Sequence, residues 1–295
     1  MTISTTIAQD KTEETLLNKE KNAQSNDNTQ SKANHLGPTI KTVEILAPIS
    51  IEKIHKNDIN HYLNASEIRP LLAGTNEFIT LIKESTTANN KGAVILLADW
   101  QQTAMTPKGI NYLKNKMPDK GWTTISIQPP AKPKGYPSTA LTLVLRKEEN
   151  KIALTNYQLK LSVIIKAVMA EARDYSSVFI VIAEGSHAAI LTNLYQQNKN
   201  TPPNALILLS SYMPSHAANK QFATALAQTS FPVLDLYLTR DHPLAKSNAK
   251  QRLSAAKKEI KAHYRQRQLT NLTSSYYPQK ELLITVKSWI AAIGW

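Results

Sequence analysis

Val178-Phe-Ile-Val-Ile-Ala-Glu-Gly-Ser-His-Ala-Ala189 decides how this chain is read. Its first half is an unbroken apolar run, the pattern of a strand covered on both faces. Glu184, Gly185 and Ser186 interrupt the run, and beyond them Ala188, Leu191, Thr192 and Tyr195 recur at helical spacing. The stretch therefore predicts a buried strand, a sharp turn and a helix.

The same rhythm extends in both directions. Upstream, Glu67–Ala73 and Glu77–Lys83 alternate apolar and polar residues around Gly74-Thr-Asn76, a hairpin signal, and Pro70 assigns the first strand to an edge. Gly92–Ala98 reads as a buried strand, Asp99–Met105 as a loop, and Thr106-Pro107 as the start of a helix. Gly121–Ile127 is the next strand, stopped by Pro129-Pro130. Residues 129–155 carry prolines and the charge run Arg146–Lys151, and read as a long surface excursion, either a lid or a plain connection. Asn156–Tyr175 is helical by the spacing of Leu159, Val163, Lys166, Ala167 and Ala170.

Downstream, Ala205–Leu209 and Val233–Leu238 are buried strands flanking a helix over 217–228. A long basic helix is expected over 245–267, a last strand over 267–272, and an amphipathic helix over 278–293. Strands separated by helices in this way predict an α/β fold with a mainly parallel sheet. One domain is expected over 41–295, after a polar segment, residues 1–40, too poor in apolar residues to order itself. The short apolar segment Thr42–Ile51 reads as an edge strand or docking turn.

Composition narrows the classes. The chain has no cysteine, which removes disulfides, thiolate metal sites and a cysteine nucleophile. Lys+Arg 35 against Asp+Glu 22 gives a formal charge of +13, which favours anionic partners without saying anything about fold. No nucleic-acid module, cofactor motif or metal-ligand spacing is present. No apolar run approaches the ~18 residues of a membrane span. The first ten residues lack the pattern of a secretory signal, and taken literally they imply a cytoplasmic protein.

The order hairpin, strand, helix, strand, excursion, helix, strand-turn-helix, strand, strand, helix resembles the α/β-hydrolase fold from about residue 60 onward. More closely, Gly92-Ala-Val-Ile-Leu-Leu, Gly121-Trp-Thr-Thr-Ile-Ser-Ile, Ala183-Glu-Gly-Ser-His-Ala and Pro232-Val-Leu-Asp-Leu-Tyr resemble a bacterial family of hydrolase-like proteins of unknown function. Its members are usually exported, so the resemblance implies a periplasmic location. It also implies a nucleophile elbow at the strand-to-helix turn. In the usual register the nucleophile's place falls to Gly185, which has no side chain. Shifted by one, it falls to Ser186, with Glu184 standing where a small residue is wanted.

The other places implied by the resemblance are equally uneven. Asp241, in Thr239-Arg-Asp-His-Pro243, matches the acid that orients a histidine, or else serves its own loop by capping the next helix. The base should lie in Asn271–Tyr277, which contains no histidine; His242, His263 and His187 are the substitutes. Ala98-Asp99-Trp100-Gln101 stands at the oxyanion loop, where Asp99 would oppose a developing negative charge. Asp99, Glu184 and Asp241 are either a carboxylate cluster able to hold a hard cation or three separate acids.

Three functions remain in play. The first is a pseudo-hydrolase or binding scaffold of the cell envelope. The second is an atypical serine hydrolase using Ser186, Asp241 and His242. The third is a binder of anionic envelope polymers or lipids through Lys250, Lys257, Lys258, Lys261 and Arg265.

Overall fold

The computed structural model describes residues 48–197 and 202–295. Residues 1–40 and most of Thr42–Ile51 lie outside the described residues. The end of that apolar segment is not a strand: Ser50 Oγ accepts from Lys53 N and caps α1 (Ile51–Tyr62), whose periodicity the sequence reading missed. Two strands follow, β1 (Ile68–Ala73) and β2 (Asn76–Lys83), paired antiparallel around Gly74 at φ +65°.

Apolar runs then alternate with helices. β3 (Gly92–Leu97), α2 (Gly109–Lys116), β4 (Trp122–Ile127), α3 (Leu143–Ala172), β5 (Phe179–Glu184) and α4 (Gly185–Gln197) form the first half. β6 (Ala205–Leu209), α5 (His216–Gln228), β7 (Val233–Leu238), α6 (Pro243–Ser247), α7 (Ala249–Lys258), β8 (Tyr264–Leu269) and α8 (Gln279–Ala292) complete the chain. The strands make one 8-stranded sheet in the order β1-β2-β4-β3-β5-β6-β7-β8, antiparallel over the first two pairings and parallel thereafter. Pro70 lies on the edge strand, as a residue without an N–H must. Alternate residues of the central strands serve opposite cores. Ile95, Val181 and Leu208 face α3, α4 and α5, whereas Leu96, Ile182 and Ile207 face α2 and α8.

Three boundaries differ from the sequence reading. α3 begins at Leu143, capped by Thr142, so the excursion ends there and the charge run 146–151 lies in the first half of a 30-residue helix. α2 begins at Gly109, not at Thr106. The long basic helix is two short ones and a strand. Ile260 at φ +51° ends the helical course, and Tyr264-Arg-Gln-Arg-Gln-Leu269 pairs with β7, its exposed arginines alternating along the sheet edge.

α7 is fixed to the sheet by a buried ion pair. Asp235 on β7 accepts from Arg252 Nε at 2.7 Å and Nη2 at 3.2 Å, and from Tyr264 Oη and Gln266 Nε2, each at 2.8 Å. Both charged side chains are fully buried, so the pair holds only while all partners are present. Arg252→Ala is expected to lower stability by about 3–5 kcal/mol, measured as a urea unfolding midpoint. A loss below about 1 kcal/mol would mean that Asp235 finds water or another donor in the mutant.

Candidate functional site

β5 stops at Glu184 and α4 starts at Gly185, whose φ of +60° is a conformation that L side chains rarely adopt. A strand entering a helix this abruptly needs such a residue, and Gly supplies it. A second reason is steric. A Cβ built on Gly185 would overlap Cγ and Oδ2 of Asp99 and lie 2.9 Å from Oδ1. Asp99 follows β3, and its carboxylate occupies the space into which a side chain at the elbow would project.

That carboxylate also takes the donors around it. Asp99 Oδ1 accepts from Trp100 N at 2.9 Å and from Ser186 N at 3.1 Å, and Tyr212 Oη reaches Oδ2 at 3.4 Å. Ser186 N, just after Gly185, and Trp100 N, in the loop after β3, thus both point at a side chain of the same protein.

Charge near the turn is costly. Burial pushes Asp99 up to about 6, against the pull of the Trp100 and Ser186 amides, the Tyr212 hydroxyl and Lys108. Burial also pushes Glu184 up to about 7; Asp99 and Asp241 add to the effect, while Gln102 and Lys108 oppose it. Gln102 Nε2 donates to Glu184 Oε1 at 3.1 Å, and Glu184 Oε2 and Gln102 Oε1 have no partner among the described residues. A proton on Glu184 gives this amide–acid pair the donor that its two free oxygens lack.

The remaining expected site residues are placed separately. Ser186 is fully buried, and its Oγ has no hydrogen-bond partner among the described residues. His187 turns into the core. Its Nδ1 donates to Ala98 O at 2.6 Å, its Nε2 lies 2.6 Å from Tyr157 Oη, and its ring stacks on that tyrosine. Burial pushes His187 down to about 4, so it is a neutral structural imidazole near neutral pH. Trp100 packs edge-on against Tyr136, Tyr157 and His187.

Asp241 does not hold a histidine. Its Oδ2 accepts from Ser210 Oγ and Leu238 N, each at 2.8 Å, and its Oδ1 from His242 N at 2.7 Å. Ser210 Oγ in turn lies 2.7 Å from Tyr277 Oη, so the loop that was expected to supply a base supplies a buried phenol. The cap of α6 is His242, not Asp241: its Nδ1 accepts from Leu244 N at 3.3 Å. The His242 ring stacks on Tyr212 at 3.9 Å. His263 is exposed. The structure thus brings together Asp99, Trp100, Glu184, Gly185 and Ser186, and no side-chain hydrogen bond joins Ser186, His242 and Asp241 among the described residues.

Among the described residues no three His, Asp or Glu side chains converge as a metal-ligand set, so the cation-binding reading of Asp99, Glu184 and Asp241 is not kept. The proposed basic face is also incomplete. Lys250, Lys257, Lys258 and Arg265 are exposed, but Lys261 turns inward to Thr229 O and Phe231 O, and burial pushes it down to about 8. Gln102, Tyr157, Ser210, Tyr212 and Tyr277 went unnoticed in the sequence reading, because each gains its role from a partner distant in the chain.

A family model described as "Protein of unknown function (DUF3530)" matches residues 5–292. The chain belongs to that family. Among solved structures it is similar to Est1E from Butyrivibrio proteoclasticus, at 8% identity and a TM-score of 0.57 over 77% of this chain and 98% of that one. TT1662 from Thermus thermophilus matches at 12% identity and a TM-score of 0.54 over 77% and 98% of the two chains. An alpha-beta serine hydrolase homologue from Coxiella burnetii matches at 12% identity and a TM-score of 0.52 over 78% and 99%. At such identities the likeness establishes the fold alone, and this family member has the α/β-hydrolase fold. No curated protein matches the chain.

The raised Glu184 has a consequence for stability. The unfolded chain releases that proton near 4.5 and the folded chain near 7, so ionisation weakens the fold as pH rises between those values. Asp99 acts in the same direction between 3.8 and about 6. His187 acts oppositely, adding stability as pH rises from about 4 to 6.5. Glu184→Gln is expected to match the parent at pH 4.5 and to exceed it by on the order of 2–3 kcal/mol at pH 8, measured by urea unfolding. An equal effect at both pH values would count against a buried, titrating Glu184.

Proposed function

We propose that this chain is a non-catalytic member of the α/β-hydrolase fold, kept in the cell envelope as a binding scaffold. One observation carries the reading: Asp99 Oδ1 accepts from Trp100 N and Ser186 N while Gly185 leaves the elbow without a side chain. Ester hydrolysis passes through a tetrahedral oxyanion, and two preorganised N–H donors stabilise it only if they are free when it forms. Here a carboxylate already accepts both, and its charge would repel the intermediate. Removing one such donor typically slows an enzyme about a hundred- to a thousandfold, and both are engaged.

The missing base supports the same reading. Among the described residues Ser186 Oγ is buried without a hydrogen-bond partner, His187 commits both ring nitrogens to structural bonds, and His242 commits Nδ1 to the cap of α6. General-base assistance worth about 10² to 10⁴ in rate is therefore absent from the one serine at the turn. The envelope location rests on the family resemblance of the four quoted motifs.

Hydrolysis of p-nitrophenyl butyrate is expected to stay at the buffer rate, with no labelling by a fluorophosphonate probe, and Ser186→Ala should leave both results unchanged. Turnover or labelling abolished by Ser186→Ala would establish the serine hydrolase reading instead.

A further inference from the structure

Away from the elbow, α1, the β1–β2 hairpin, the segment after β4 and α3 border a half-open cavity of about 810 Å³. That volume lies within the range of small-molecule sites, about 300–1,000 Å³. Asp99 and Gly185 are not among its lining residues, so the cavity and the elbow are separate features of the fold.

The walls have two characters. Phe78, Ile79, Pro130, Val163 and Ile164 make an apolar part, with Ile79 and Ile164 continuous with the protein interior. Val163 is 42% exposed and lines the cavity from α3. The polar part carries three lysines, Lys53, Lys56 and Lys160, against two glutamates, Glu52 and Glu77. Both acids are already engaged: Lys56 Nζ lies 2.7 Å from Glu77 Oε1, and Lys160 Nζ 3.2 Å from Glu52 Oε1. Glu52 Oε1 also accepts from Ala131 N. Lys53 has no carboxylate partner among the described residues, so the unmatched charge at the cavity is an ammonium.

An apolar floor beside one unmatched cation is complementary to a molecule with a hydrocarbon body and one anionic end. We propose that this cavity binds free medium-chain fatty acids, the alkyl chain lying on Phe78, Val163 and Ile164 and the carboxylate meeting Lys53. Each added methylene should tighten binding about fourfold until the cavity is filled.

Titration calorimetry of the full chain with octanoate and decanoate, below their micellar concentrations, tests this. Saturable binding to one site, tighter for decanoate, is expected. Val163→Trp, which fills the cavity from a partly exposed position, and Lys53→Glu should each weaken decanoate at least tenfold. Lys250→Glu, an identical charge change on a distant exposed residue, should leave the affinity unaltered. Absence of binding by 1 mM decanoate would overturn the proposal. So would equal affinity for decyltrimethylammonium, or equal losses in Lys250→Glu and Lys53→Glu. Sedimentation with phosphatidylglycerol vesicles in the absence of decanoate binding would replace the free acid with a lipid surface.

Discussion

Asp99 Oδ1 is where two loops of this protein meet. The carboxylate leaves the end of β3 and accepts N–H groups from its own loop and from the first turn of α4, 87 residues further along the chain. A charged or half-charged acid that is 7% exposed needs such donors, since burial without them is heavily penalised. The neighbouring positions follow from it. Gly185 has to lack a side chain because the space is taken, and its positive φ has to be tolerated by the same residue. Glu184, next in line, shares the region with a second acid and is driven towards its neutral form.

Around this contact the carboxyl end of the sheet is closed by structural bonds. Tyr212 N donates to Gly185 O, and its ring links the turn to His242 and so to the start of α6. Asp241, Ser210 and Tyr277 form one hydrogen-bonded chain across the ends of β6 and β7, with Tyr277 Oη also donating to Leu236 O. His187 ties α4 to β3 and, through Tyr157, to Pro130. Groups that could relay protons in another arrangement of this fold are engaged here in holding loops. A fold does not determine such use; the side chains at the site do.

The scaffold was legible in the chain because buried parallel strands are locally written. Gly92–Leu97, Phe179–Glu184 and Ala205–Leu209 are apolar almost throughout, and no tertiary knowledge was needed to find them. Helices with charged or mixed faces were harder. The first half of α3 was hidden by its charge run, and β8 by alternating arginines and glutamines that also suit a basic helix. At the site, the glycine at the strand-to-helix turn and the acid in the loop after β3 could each be read. That they occupy adjoining space could not, because no spacing in sequence encodes a contact between residues 99 and 185. Tyr277 lay inside the loop searched for a histidine, and its bond to Ser210 depends on packing alone.

Whether Asp99 closes the elbow is tested most directly by a double-mutant cycle between Asp99 and Gly185, read as unfolding free energies of the parent, Gly185→Ala, Asp99→Gly and the double variant. If the carboxylate fills the elbow, Gly185→Ala alone should cost roughly 3 kcal/mol or more, overpacking added to the strain of a side chain at positive φ. In the Asp99→Gly background only the strain should remain, about 1–2 kcal/mol. Additivity of the two substitutions within about 0.5 kcal/mol would mean that the two residues do not share this space, and that the elbow is not closed by Asp99.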